Sequence, residues 1–177
     1  MRLFIAVLFP DAVVDKLSEW RDRIHDESSS GSFVQRDNLH LTLNFLGECS
    51  SREEKLAEEA VASVKMEPFS LKMDRIGFFS RPDGDIWWVG AEENKSLLDL
   101  QRSLSSSLAE RGFKLEKRKF RPHITLGRRV ITTSGTGRIE PIVSEVDSIA
   151  LMLSERGDGR MIYTPLFLNR LSGSMKQ

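Results

Sequence analysis

The chain has 177 residues, 40% of them hydrophobic and 29% charged, which bounds it to a single domain over residues 1–177 or two small lobes sharing one core. Lys plus Arg (26) balance Asp plus Glu (26), so no global basic field grips long nucleic acid, and any nucleic-acid substrate must be recognised locally. The single cysteine, Cys49, excludes an internal disulfide and fits a reducing compartment.

Leu3 to Phe9 is an apolar run too short to cross a bilayer, and no small-residue cleavage site follows it. It reads as a buried strand in a soluble cytoplasmic protein with no membrane partner. Pro10 and Asp11 suit a helix start, and Val13, Leu17, Trp20 and Ile24 recur as an amphipathic stripe. His25 lies beside that stripe in charged company, as a solvated histidine does. Ser28-Ser29-Ser30-Gly31-Ser32 has the composition of a flexible loop.

His40-Leu41-Thr42-Leu43-Asn44-Phe45 alternates polar and apolar residues with the period of a half-buried strand. His40, Thr42 and Asn44 should share one face, with Leu41, Leu43 and Phe45 packed on the other. Cys49 reads as a strand-to-helix loop residue. Ser50 and Ser51, followed by Glu53 and Glu54, offer a capping box for a helix that turns Leu56, Ala60, Val61 and Val64 inward and ends at Pro68. Phe69 to Ser80 and Asp85 to Gly90 flank the turn Arg81-Pro82-Asp83-Gly84 and read as a hairpin. Trp87 and Trp88 should face opposite sides of it, one in the core and the other able to stack on a base.

Leu97, Leu100, Leu104 and Leu108 mark a third helix, closed by Arg111-Gly112. A basic run through Arg121 then leads to His123-Ile124-Thr125-Leu126-Gly127, which repeats the first motif 83 positions later and is followed by Arg128 and Arg129. Thr132 to Gly137 reads as a loop. Ile142 to Ser154 and Met161 to Leu168 read as a closing hairpin around Gly157-Asp158-Gly159, which lacks the lysine and the helix of a phosphate loop. The order β-α-β-α-β-β-α-β-β-β contains one internal echo, strand-helix-motif strand. It predicts two lobes related by a pseudo-two-fold axis, each offering one HxT strand to a shared cleft.

Only three histidines occur, and two of them stand in this repeated phrase. Paired imidazoles suit concerted general acid–base catalysis near neutral pH, one taking a proton as the other gives one. Threonines two residues along lie roughly 7 Å away on the same side of the strand, placed to hydrogen-bond a phosphoryl oxygen. Zinc would need a third ligand, and neither His-Glu-x-x-His nor a second cysteine is present, so no metal or other cofactor is expected.

His40-Leu41-Thr42-Leu43 with Phe45-Leu46-Gly47, and Arg121-Pro122-His123-Ile124-Thr125-Leu126, resemble the paired HxTx signatures of the 2H phosphoesterase superfamily. The chain more closely resembles the bacterial and archaeal RNA 2′,3′-cyclic phosphodiesterases, also called 2′-5′ RNA ligases, in its opening strand, its length, its motif spacing and a C-terminal hairpin carrying Tyr163. The resemblance implies an α+β, bilobal fold of mainly antiparallel sheet, helices outside and both HxT strands in a central cleft. It also implies a monomer that opens 2′,3′-cyclic phosphates on RNA 3′ ends or nucleotides to 2′-phosphomonoesters, some relatives also ligating. His40 would be the acid and His123 the base, a direction the residues themselves leave open. Thr42 and Thr125 would hold the phosphoryl oxygens, with Arg128 preferred over Arg129 for its register with Gly127 and Thr125. Another cyclic phosphate, or a binding module without turnover, are the competing readings.

Overall fold

Leu3, Ile5 and Val7 alternate with Phe4 and Ala6 along β1 (Arg2–Val7), and both faces of that strand are covered, which explains its unbroken apolar sequence. A computed structural model describes residues 1–173. In chain order there follow α1 (Asp11–Asp26), β2 (Ser28–Phe33), β3 (Leu41–Glu48), α2 (Ser51–Ser63), β4 (Phe69–Phe79), β5 (Asp85–Ala91), α3 (Lys95–Glu110), β6 (His123–Thr132), β7 (Gly137–Val146), β8 (Ser148–Gly157) and β9 (Arg160–Arg170).

Every strand pairing is antiparallel, in one sheet ordered β7-β4-β5-β6-β3-β1-β8-β9, with β2 added beside β6. Read outward from its middle, the sheet is β6-β5-β4-β7 on one side and β3-β1-β8-β9 on the other. This is the expected pseudo-two-fold pair of lobes. The lobes are not successive halves of the chain, because the C-terminal hairpin returns to pair β8 with β1. Nor do the helices stay with their own strands: α1 leaves β1 but packs on β6 and β7, and α3 leaves β5 but touches β3.

The three expected helices form, although α2 stops at Ser63, short of Pro68, and buries Ala57 rather than Leu56 beside Ala60 and Val61. The Ser50 hydroxyl accepts from Glu53 N–H and the Glu53 carboxylate accepts from Ser50 N–H at 2.7 Å, so the capping box is complete. Leu97, Leu100, Leu104 and Leu108 have 0% exposure, each contributing about 1.5–3 kcal/mol of burial. They share one core with Leu17, Val61, Leu41 and Ile124, so the helices pack on one face of the sheet, while on the other, more open face Phe4, Ala6, Ala150 and Met152 form a smaller buried cluster.

Two elements differ from the sequence reading. Ser28–Phe33 is a strand rather than a loop, paired with β6 from Ser28↔Thr132 to Phe33↔Gly127. Its serines are wet on both faces, so its backbone pairs without the apolar alternation that announces a strand. The stretch expected as one strand from Ile142 breaks at Asp147 into β7 and β8, which pair at opposite ends of the sheet with β4 and β1. The turn to β9 comes where expected: Asp158 (φ 50°) and Gly159 (φ 76°) are both left-handed, as a two-residue Asp-Gly hairpin turn requires.

Candidate active site

β3 and β6 meet through one residue pair, Leu41 opposite Ile124, both fully buried. Antiparallel pairing at that point sets His40 beside Thr125 and Thr42 beside His123, all on the open face, because side chains alternate along each strand. The strands pair no further, so the two lobes diverge into a cleft floored by these four residues.

The imidazoles are held alike. His40 Nδ1 donates to the carbonyl of Asn38 and His123 Nδ1 to that of Arg121, each at 2.6 Å. A carbonyl only accepts, so each Nδ1 carries the proton and each Nε2 is left for chemistry. His40 Nε2 lies 2.8 Å from the Thr42 hydroxyl. Burial is the larger cause pushing the His40 imidazole below the ordinary histidine value; the Asn38 carbonyl opposes it, and the charges of Arg128 and His123 add to it. His123 is likewise lowered by burial, opposed by the Arg121 carbonyl and reinforced by Arg128. One guanidinium therefore bears on both rings.

Arg128 reaches that position through a break in strand regularity. The β5–β6 register passes from Trp88↔Thr125 to Trp87↔Gly127, leaving Leu126 as an extra residue. The β1–β3 register does the same at Leu43, between Ala6↔Thr42 and Ile5↔Asn44. Each bulge shifts the alternation by one, so the residue five past each histidine returns to the cleft face. On one strand that residue is Arg128, and on the other it is Phe45. The expectation that Phe45 joins the core and Asn44 faces the cleft is thus corrected: Phe45 is 53% exposed, whereas Asn44 is buried and its amide donates to the Ser105 hydroxyl.

Aromatic rings flank both histidines. Phe4 and Tyr163 lie 4.9 and 5.3 Å from His40, and Phe79 and Trp88 lie 5.0 and 6.4 Å from His123. Trp87 is 2% exposed and belongs to the core, so the tryptophans divide between the two faces. Arg129 turns away to Asp83 at 3.3 Å, in a left-handed backbone (φ 53°) against which Gly84 packs closely. His25 lies outside the cleft, edge-on to Phe33. Cys49 is buried, and burial raises its thiol pKa. Among the described residues no three His, Cys, Asp or Glu side chains gather closely enough to hold a metal ion, and no helix is long and apolar enough to cross a membrane.

Sequence reasoning missed Asn38. It is buried, its amide donates to the Met161 carbonyl at 2.8 Å, and its own carbonyl orients His40, so it ties the histidine to the C-terminal hairpin. Its place two residues before the histidine, matching Arg121, was the available signal.

A family model described as the 2′-5′ RNA ligase superfamily matches residues 9–158. The chain is 33% identical to the RNA 2′,3′-cyclic phosphodiesterase of Escherichia coli over 93% of both chains, and 36% identical to that of Archaeoglobus fulgidus over 72% of both. It superposes on the crystal structure of E. coli LigT complexed with 3′-AMP with a TM-score of 0.84 and 32% identity, covering 97% of this chain and 98% of the other. Kluyveromyces marxianus Usb1, 12% identical at a TM-score of 0.51, shares the fold alone. With a matched region that contains both HxT strands, the chain belongs to the 2′-5′ RNA ligase superfamily.

Proposed function

We propose that the cleft hydrolyses RNA-terminal 2′,3′-cyclic phosphate to a 2′-phosphomonoester. Water attacks phosphorus as His123 Nε2 takes its proton. The bond from phosphorus to O3′ breaks, and His40, protonated at Nε2, gives its proton to that oxygen. The Thr42 and Thr125 hydroxyls donate to the two non-bridging oxygens, and Arg128 offsets the charge that builds on them. An RNA 5′-hydroxyl in place of water would give a 2′–5′ linkage by the same transfers. In this reading the protein works as a cytoplasmic monomer without a metal.

The observation that carries the reading is the Leu41–Ile124 contact, which gathers two Nδ1-anchored imidazoles and two threonines on one face. The name of its relatives in E. coli and A. fulgidus, RNA 2′,3′-cyclic phosphodiesterase, supports the substrate class. The test is to incubate the protein, in excess chelator, with an oligoribonucleotide ending in a 2′,3′-cyclic phosphate and to follow the product by phosphorus NMR. A 2′-phosphate formed by the wild type and lost in His40→Ala and His123→Ala is expected. A 3′-phosphate, or activity that survives in either variant, would overturn the assignment.

A further inference from the structure

Past Trp88 the open face continues into a groove of about 510 Å³ between β4 and β7, lined by Asp74, Arg75, Gly77, Trp88, Gly137 and Arg138 among others. Two features make it a built site. First, the β4 register shifts between Met73 and Arg75 against both neighbouring strands, and Asp74 sits in that irregularity, 7% exposed. Its carboxylate lies 3.4 Å from Arg75 Nε and 3.2 Å from Arg138 Nη1, and its Oδ1 has no hydrogen-bond partner among the described residues. Arg75 is held further by donating to the Ala91 carbonyl at 2.8 Å. Two guanidiniums thus converge on one buried carboxylate, leaving a net positive charge, and Arg138 keeps 88% of its side chain exposed.

Second, the Trp88 indole lies flat on the sheet. A Cβ on Gly77 or Gly90 would stand 2.6 or 2.7 Å from its ring atoms, so only glycine leaves room beneath it. One face of the ring is seated on backbone, 6.4 Å from His123.

An aromatic platform next to paired arginines is the equipment of single-stranded nucleic-acid binding, a π-face for a base and a charged fork for a phosphate. The protein has zero formal net charge, so such recognition must be local. We propose that this groove holds the nucleotide immediately 5′ of the cyclic end, its base on Trp88 and its linking phosphodiester on Arg75 and Arg138. The inference rests on the cyclic phosphodiesterase reading and adds that the enzyme grips an RNA strand, not an isolated terminal nucleotide.

The test compares kcat/KM for a pentaribonucleotide ending in a 2′,3′-cyclic phosphate with that for a mononucleoside 2′,3′-cyclic phosphate. The same protein preparations are titrated, by fluorescence anisotropy, with a labelled pentaribonucleotide ending in a 3′-phosphate. Wild type should prefer the longer substrate. Arg138→Ala, and separately Trp88→Leu, should cut that ratio about 10-fold and weaken anisotropy binding similarly. Arg138→Ala should also flatten the salt dependence of binding by about 0.7 in log–log slope. Arg138 is exposed, so its variant should fold, which circular dichroism checks. Variants that keep both the ratio and the binding would overturn the groove while leaving the hydrolysis reading intact. If wild type opens neither substrate, the hydrolysis reading fails and the anisotropy arm alone decides the groove.

Discussion

Gly84→Ala is expected to disable the cleft from outside it. Gly84 has φ 117°, and a Cβ there would stand 2.6 Å from the carbonyl carbon, 2.8 Å from Cα and 2.9 Å from the carbonyl oxygen of Arg129. These are backbone atoms of a residue itself in the left-handed region (φ 53°), with its side chain on Asp83 of the same turn. A positive φ costs an alanine about 1–2 kcal/mol, and overpacking against backbone adds about 1–3 kcal/mol. At roughly 2–4 °C per kcal/mol for a chain of this size, Tm should fall by about 4–20 °C. The turn must also move off β6, releasing Arg129 and letting the adjacent Arg128 leave the histidines. Losing a hydrogen bond from a charged group costs about 1.5–3 kcal/mol, so kcat/KM should drop about 10–100-fold. Gly112→Ala is the control: Gly112 also has a positive φ (88°), but its added Cβ meets nothing within 4 Å among the described residues. It should lose about 1 kcal/mol of stability and keep full kcat/KM. Thermal denaturation and steady-state kinetics on both variants are the assay. A Gly84→Ala enzyme that melts early but turns over normally would show that the turn does not hold Arg128.

Thr42→Val removes the hydroxyl beside His40 Nε2 while keeping the strand's shape; kcat should fall about 10-fold, with Tm within about 2 °C of wild type, by the same kinetics and calorimetry. Both cleft imidazoles should titrate below the ordinary histidine value by proton NMR, and Arg128→Gln should raise both, since a nearby cation is removed. Inorganic phosphate should raise them in the wild type by adding the opposite charge. Because burial lowers each imidazole in the folded state, the stability it contributes is present above the unfolded value of about 6.5 and is lost as pH falls through the folded value. His40→Gln should therefore lose less Tm than wild type between pH 7 and pH 5, measured by calorimetry.

Much of the site was legible because the chemistry and the strand period coincide. His40 and Thr42, like His123 and Thr125, stand two apart on strands whose apolar partners Leu41 and Ile124 are fully buried, so alternation alone sent them to the open face. The same alternation misplaced Phe45, because an extra residue at Leu43 has no signature in the pattern of polar and apolar side chains. A regular register with Thr125 and Gly127 would have turned Arg129, not Arg128, toward the cleft; Arg128 comes to that face only through the matching bulge at Leu126. Asn38 and Arg121 orient the rings through carbonyls, a role that any residue type supplies and that side-chain chemistry cannot announce. In the fold, α2 and α3 were written in a capping box and a leucine stripe. β2 was hidden by serines, and the composition of the lobes by the long-range pairing of β8 with β1.

The central claim, that His40 and His123 trade protons as acid and base, is tested most directly by the pH dependence of kcat/KM for the wild type and the two single-histidine variants. The wild type should give a bell whose optimum lies below the ordinary histidine value, since both imidazoles are depressed. Each substitution should cost about 10²-fold or more and remove one limb, the acid limb in His123→Ala and the basic limb in His40→Ala. A profile that stays flat from about pH 5 to 9, across the range where histidines titrate, or a bell that keeps both limbs in both variants, would contradict it.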